Sequence, residues 1–419
     1  MKHISPTLLI LAALATAPAA HALSVKDDDL SLGLKLQLQV RAEKSWADGR
    51  DGNRYNVSEA VRDSEPDDLD FYVRRARIGF AGTWKGEYKF AYLLRNDNQD
   101  KAGTTTAART PQTHVAYLER LVKQESLGLE HGFKMGLDYA FFNGASAAFS
   151  SSSFLFPTER ATGGMLAPRG AGVAYKLSSK MITWGVDVQN NTGDNVATAG
   201  AGPIGDGSAN QGEGLFYGTR VQFVPFDSDE KGHMKPVESF LGKDGQGVLI
   251  SAEYGINQND NTGLDTTVNT TGYGLEVLGH LNAITALAEW RQTIAKYDNA
   301  TADDNTNVST AYIVQIGYAL PMGDQVLEPA LRFTRLNAIS QTPERSEYGS
   351  SEYGGSGYSY DVGVNYYIHG HSNKVQLALQ HWRSEGGADS MSATGVTSTA
   401  TTPSEAKADI VRFQWQLSF

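Results

Sequence analysis

Residues 70–98 read DFYVRRARIGFAGTWKGEYKFAYLLRNDN, and this stretch decides the fold. Two arms flank a tight turn at Trp84, Lys85 and Gly86. In an extended chain successive side chains point to opposite faces. On the first arm Ala76, Ile78 and Phe80 share a face, with Arg75 and Arg77 opposite. On the second, Tyr88, Phe90, Tyr92 and Leu94 oppose Glu87, Lys89 and Arg95. The hairpin therefore has one apolar wall and one cationic wall. A soluble sheet would press the apolar wall on a core, and a membrane sheet would press it on lipid.

The rest of the chain repeats the pattern. Residues 31–42, SLGLKLQLQVRA, set five aliphatic side chains against Lys35, Gln37, Gln39 and Arg41, a strict period of two. Further strands are expected at 112–123, 133–141, 169–177, 180–190, 215–225, 247–257, 271–280, 282–296, 310–320, 325–337, 357–369, 374–385 and 406–419. The count is about sixteen. Short turns alternate with long polar loops, expected at 43–68, 97–111, 193–214, 259–269, 298–309, 338–356 and 386–403. Two segments break the rhythm. The loop 142–168 is rich in phenylalanine and small residues and contains Phe156-Pro157-Thr158-Glu159-Arg160, a composition that calls for burial. Residues 227–246 stand where a short turn is due, as an inserted helix or an extended turn.

The chain has 419 residues, no cysteine and a formal net charge of -11. Its start, with Lys2, an apolar run at 8–17 and Ala20-His21-Ala22, has the form of a signal peptide over residues 1–22. Cleavage after Ala22 removes Lys2 and no acid, leaving 35 basic against 47 acidic residues over residues 23–419, a net of -12. The missing cysteines remove disulfides, thiolate metal sites and thiol nucleophiles. Acidity argues against nucleic-acid binding. Past the signal no apolar run reaches eighteen residues, so no helical span is expected. Together these features imply an all-β fold: a transmembrane antiparallel β-barrel of about 16 strands in the cell outer membrane. Such a sheet must close, because an open edge in hydrocarbon leaves backbone groups unpaired. The last ten residues, IVRFQWQLSF, alternate in the same way and end in Phe419, like the signal read by the outer-membrane assembly machinery.

Phe71-Tyr72-Val73-Arg74-Arg75-Ala76-Arg77-Ile78 resembles the RRAR strand of the phosphate-selective porin O and P family. Ala116-Tyr117-Leu118-Glu119, the 156–160 segment and Asn190-Asn191-Thr192-Gly193-Asp194-Asn195 resemble further family stretches. The resemblance covers essentially the whole mature chain. It implies a sixteen-stranded, generally trimeric porin whose third loop, here 142–168, folds inward and narrows a water-filled channel. It also implies selection of small anionic solutes, possibly phosphate or polyphosphate, by basic residues. Here the loop departs from the family, since 142–168 carries Arg160 and no lysine cluster.

The residues expected to line the pore and set selectivity are Lys35, Arg41, Arg75, Arg77, Lys89, Arg95, Lys134, Arg160 and Arg220. Arginine grips oxyanions with paired donors, and charges must crowd a passage narrower than the Debye length of about 8 Å to act on an ion. The competing reading has the same arginines pairing with Glu87, Glu119 and Asp138 or bracing the inserted loop. A general-diffusion, carbohydrate-preferring or cation-preferring pore, or a non-conducting surface receptor or adhesin, is then the alternative function. Expected partners are outer-membrane lipid, lipopolysaccharide and two further copies of the chain. No cofactor or metal is expected: the glycines at 200–205 do not open a helix, and His369 and His371 straddle a turn. An enzyme is not expected, as no G-x-S-x-G occurs.

Overall fold

The structure, a computed structural model, describes residues 24–49, 69–97, 111–140, 149–158, 160, 169–190, 214–228, 234–261, 266–299, 302–340, 356–385, 390–392, 395–397 and 406–419. The proposed signal peptide lies outside them. The wall is built from β1 (Leu30–Gly49), β2 (Asp70–Trp84), β3 (Tyr88–Arg95), β4 (Gln112–Gln124), β5 (Leu129–Tyr139), β6 (Arg169–Ser178), β7 (Ile182–Asn190) and β8 (Leu215–Asp227). It continues through β9 (Gln246–Asn261), β10 (Thr266–Leu281), β11 (Ile284–Asn299), β12 (Ala302–Tyr318), β13 (Gln325–Ser340), β14 (Ser356–His369), β15 (Asn373–Glu385) and β16 (Ala406–Ser418). Every strand pairs antiparallel with its sequence neighbours. β16 returns to β1, from Gln37 opposite Ser418 to Gly49 opposite Ala406, so these sixteen strands form a closed barrel. Phe419 completes the seam: its N–H donates to the Leu36 carbonyl at 3.0 Å, and its carbonyl accepts the Leu36 N–H at 2.8 Å. Among the described residues there is no α-helix.

The faces follow the period-two reading. Ile78, Phe80, Trp84, Tyr92, Phe133, Met135, Val173, Val277, Val314, Leu331, Val362 and Leu377 are exposed on the outside. Gln39, Arg75, Glu119, Asp187, Arg220, Glu289, Arg332, Asp361 and Gln414 are buried on the inside. An apolar exterior around a polar interior is the solution for a sheet surrounded by hydrocarbon. The β2–β3 turn is as tight as its sequence implies. Lys85 and Gly86 have φ of 52° and 65°, and the Glu87 N–H donates to the Trp84 carbonyl at 3.2 Å. This is the positive-φ turn whose twist matches an antiparallel pair.

One irregularity re-aims the RRAR strand. Gln39 stands opposite Arg75 and Val40 opposite Val73, so Arg74 is the extra residue of a bulge. The bulge resets the alternation, and both Arg75 (2% exposed) and Tyr72 (3% exposed) turn inward.

Two expectations are sharpened by the structure. Residues 43–49, 259–261, 266–269, 298–299 and 302–309, read as polar loop, extend the strands instead. Threonine and valine there favour extended backbone, and the ladder is made by main-chain groups, so pairing continues regardless of side-chain polarity. The segment 227–246, left open between helix and turn, is an irregular turn over its described residues 234–245. Pro236 and the left-handed backbone at Leu241 (φ 57°) and Gly242 (φ 67°) exclude a helix there.

Candidate pore and its constriction

The inserted loop supplies 149–158 and Arg160 to the barrel interior, with Phe154, Leu155 and Phe156 at most 5% exposed. It lies against the wall formed by β9 to β16. Leu155 and Phe156 pack with Ala330 and Ala378, while Phe149 and Phe154 pack with Leu249, Leu278 and Leu287. Wall glycines make room for two of these side chains. A Cβ on Gly363 would stand 3.0 Å from Phe156 Cε1, and one on Gly317 would stand 3.0 Å from Leu155 Cδ1. Burying each such side chain contributes about 1.5–3 kcal/mol.

Polar side chains of the wall hold the loop's backbone carbonyls. Lys374 Nζ donates to Phe154 O at 2.6 Å, joined by Gln376 Nε2 at 3.1 Å. Arg332 donates to Thr158 O at 3.1 Å and to its Oγ1 at 2.6 Å, and stacks over Phe156 at 4.6 Å. Arg41 donates to Pro157 O and, at 2.7 Å, to Gln414 Oε1. Gln416 Nε2 donates to Ser152 O at 3.1 Å. The described part of the loop, regular only in a 3-10 turn at Ser151–Ser153, thus has the carbonyls of Ser152, Phe154, Pro157 and Thr158 satisfied inside the barrel.

Behind the loop lies a charge cluster. Arg160, 1% exposed, stands 3.5 Å from Glu238, 3.2 Å from Glu276 and 3.4 Å from Glu289. Arg220 lies 3.0 Å from Glu276 and 3.3 Å from Glu253. Arg291 pairs with Glu253 and lies 3.6 Å from Glu289. Three guanidiniums thus share four carboxylates, and these cations are spent internally. Burial disfavours the charged form of Arg160, but Glu289, Glu276 and Glu238 outweigh it and hold its pKa above the ordinary value.

With the loop on that side, the open space lies on the other. A cavity of about 740 Å³ runs between the loop and the wall of β1 to β5. Lys35, Arg75, Arg77 and His114 line it together with Tyr117 and Phe154. Lys35 is exposed and makes no ion pair among the described residues. Arg75 donates to Gln39 Oε1 at 2.8 Å and lies over the Phe154 ring at 5.8 Å. Arg77 pairs with Asp97 at 2.6 Å. Burial alone would raise the Asp97 pKa, but the neighbouring Arg77 overrides it and leaves the carboxyl below its usual range.

The other expected residues divide by surroundings. Lys134 pairs with Asp138 at 2.8 Å and lines a second cavity, of about 180 Å³, beside Glu119 and Lys176. Arg95 is half-buried and donates to Gln112 Oε1 at 3.1 Å, and Lys89 is half-buried opposite Glu119. Arg41, Arg160 and Arg220 are buried at 5%, 1% and 1% exposure and lie in contacts that brace the loop and the cluster. Glu238, Glu276 and Lys374 escaped the sequence reading. Lys374 sits on the expected lumen face of its strand, whereas the only sequence signal for Glu238 is the excess length of its turn. Among the described residues no cluster of metal-ligating side chains occurs.

Solved structures with the same architecture are outer-membrane channels. The channel DcaP of Acinetobacter baumannii aligns at a TM-score of 0.57 with 13% identity, covering 94% of this chain and 99% of its own. The anion-selective porin from Comamonas acidovorans aligns at 0.53 with 11% identity, covering 93% and 100%. OmpT of Vibrio cholerae, in its trimer form, aligns at 0.52 with 11% identity, covering 93% and 100%. At these identities the likeness is one of fold. No curated protein matches the sequence. The family model described as phosphate-selective porin O and P matches residues 47–419. The match leaves out the first strand up to residue 46 and takes in the other fifteen strands, the inserted loop and the C-terminal Phe419, and the chain belongs to the phosphate-selective porin O and P family, an outer-membrane porin channel.

Proposed function

We propose that the channel passes small anionic solutes by diffusion, with inorganic phosphate or polyphosphate within its range. The observation that carries this reading is the asymmetry of the interior. The arginines of the buried cluster are outnumbered by carboxylates, whereas the open cavity is bordered by Lys35, Arg75 and Arg77 with Asp138 as its acidic lining residue. Lys89, Arg95 and Lys134 extend the cationic wall on β3 and β5, so an entering anion meets several weak sites in series. That is what conduction requires, since one tight site would block it. Arg41, Arg160 and Arg220 serve by bracing. The pairs Arg77–Asp97, Lys134–Asp138 and Lys176–Glu119 moderate the field and favour a graded anion preference over strict phosphate selectivity.

The protein acts as a channel and not as an enzyme. The signal segment 1–22 is removed on export, the barrel 23–419 inserts among outer-membrane lipid and lipopolysaccharide, and three copies associate. The trimer form of OmpT supports the last point.

The test is reconstitution into planar bilayers under a potassium chloride gradient. A reversal potential of anionic sign is expected, and added phosphate should lower the chloride current. Cation preference or zero conductance refutes the reading, and block by neutral sugars instead of phosphate would favour a carbohydrate pore.

A further inference from the structure

The inserted loop is held from below as well as from the wall. The turn 234–245 joins β8 to β9 at the end of the barrel opposite the inserted loop's own attachment. It rises inward: Met234, Glu238, Ser239 and Phe240 are 7%, 2%, 1% and 6% exposed. Met234 and Phe240 belong to the same apolar cluster as Phe149 and Phe154 of the inserted loop. Glu238 reaches the loop twice. It accepts the Leu155 N–H at 2.9 Å and stands 3.5 Å from Arg160 Nε. The turn is itself fixed to the far wall, where Ser239 Oγ donates to Glu328 Oε1 at 3.0 Å and His371 Nε2 donates to Ser239 O at 3.0 Å. Phe240 stacks on His280 at 4.1 Å.

We propose that this turn is a second selectivity-setting element, with Glu238 its positioning residue. It latches the inserted loop against the β9–β15 side and so confines transit to the cationic cavity beside β1–β5. The physical case rests on where the two segments meet. Each carries only part of an apolar cluster, and neither alone covers Leu249, Leu278 and Leu287. Withdrawal of the turn exposes loop phenylalanine and takes from Arg160 one of its three carboxylates, and withdrawal of the loop leaves Glu238 without Arg160 and without the Leu155 N–H. Glu238 contributes both the acceptor for a backbone N–H in the most deeply buried part of the loop and part of the countercharge to Arg160. This inference rests on the anion-channel reading above and adds to it a second structural determinant.

The experiment compares native protein with Glu238→Ala, Glu238→Asp and Ser239→Ala in planar bilayers, with heat-modifiable gel mobility as the check of a closed barrel. Glu238→Ala is expected to raise unitary conductance about twofold or more and to move the reversal potential toward zero, because the second half of the lumen opens. Glu238→Asp should restore part of the native value. Ser239→Ala, which loosens the turn from the wall without touching the loop, should shift both quantities in the same direction but less. A folded Glu238→Ala barrel with native conductance and native reversal potential overturns the proposal. If that variant does not assemble, native values in Ser239→Ala overturn it equally. Failure of the underlying reading looks different: the native channel itself would lack anion preference.

Discussion

Replacing Arg160 by alanine separates a brace from a pore charge. The guanidinium loses Glu238, Glu276 and Glu289 at 3.5, 3.2 and 3.4 Å, and the buried cluster passes from an excess of one negative charge to an excess of two. Glu276 keeps Arg220 at 3.0 Å and Glu289 keeps Arg291 at 3.6 Å, while Glu238 keeps the Leu155 N–H at 2.9 Å. Breaking a buried pair by removing one partner costs about 3–5 kcal/mol; because two of three carboxylates retain a cation, the lower end, about 3 kcal/mol, applies. At 1.4 kcal/mol per factor of ten, the seated loop should lose on the order of a hundredfold in population relative to the released one. Limited chymotrypsin digestion of detergent-solubilised protein reads this directly, since the Phe154–Leu155 bond, buried in the seated loop, becomes cleavable only on release. When opening and closing are fast, cleavage follows the open population. A roughly hundredfold faster cut with the barrel still closed is expected. A cleavage rate within about threefold of native, together with a reversal potential shifted as in a pore-charge variant, would refute the brace and return Arg160 to the selectivity filter.

Lys35→Ala should lower anion preference in bilayer recordings without changing urea or heat stability, because the ammonium is exposed in the passage and braces nothing. Asp97→Asn removes the carboxylate 2.6 Å from Arg77, and anion preference should rise. Gly363→Val forces atoms into the 3.0 Å space before Phe156 and should cost about 1–3 kcal/mol, read as faster chymotrypsin cleavage. His371, in the β14–β15 turn, has its pKa lowered to about 4 by burial and by the nearby Lys374. Its folded-state pKa lies below the unfolded value near 6.5, so the stabilisation is full above that pH, falls as pH drops and is lost by about pH 4. The gap corresponds to about 3 kcal/mol. Urea midpoints should therefore decline across this window, and His371→Gln should flatten the decline.

The barrel was legible because its signal is local. Alternation in 31–42, in the RRAR hairpin and in 406–419 needs no knowledge of distant residues, and hydrocarbon forces the closure that such alternation implies. The strand extensions around 259–269 and 298–309 were missed because polar side chains there mimic loop composition while the backbone ladder simply continues. The faces of the first two strands were legible too: Lys35, Arg75 and Arg77 line one interior cavity, on the side opposite the exposed Ile78 and Phe80.

Alternation along the sequence determined that the chain forms an apolar-walled, polar-lined barrel, and the composition of 142–168 called for the burial seen at Phe149, at Phe154 to Phe156 and at Arg160. Only the tertiary structure decided which arginines meet solute. Arg41, Arg160 and Arg220 have the same residue type and strand or loop context as Arg75 and Arg77, which border the cavity, yet they are held against the loop and the charge cluster by Gln414, Glu238 and Glu276. Which side a guanidinium serves depends on the groups the closed barrel brings within about 4 Å, and that distance is set by ring closure and by two inward-folding segments, not by sequence spacing.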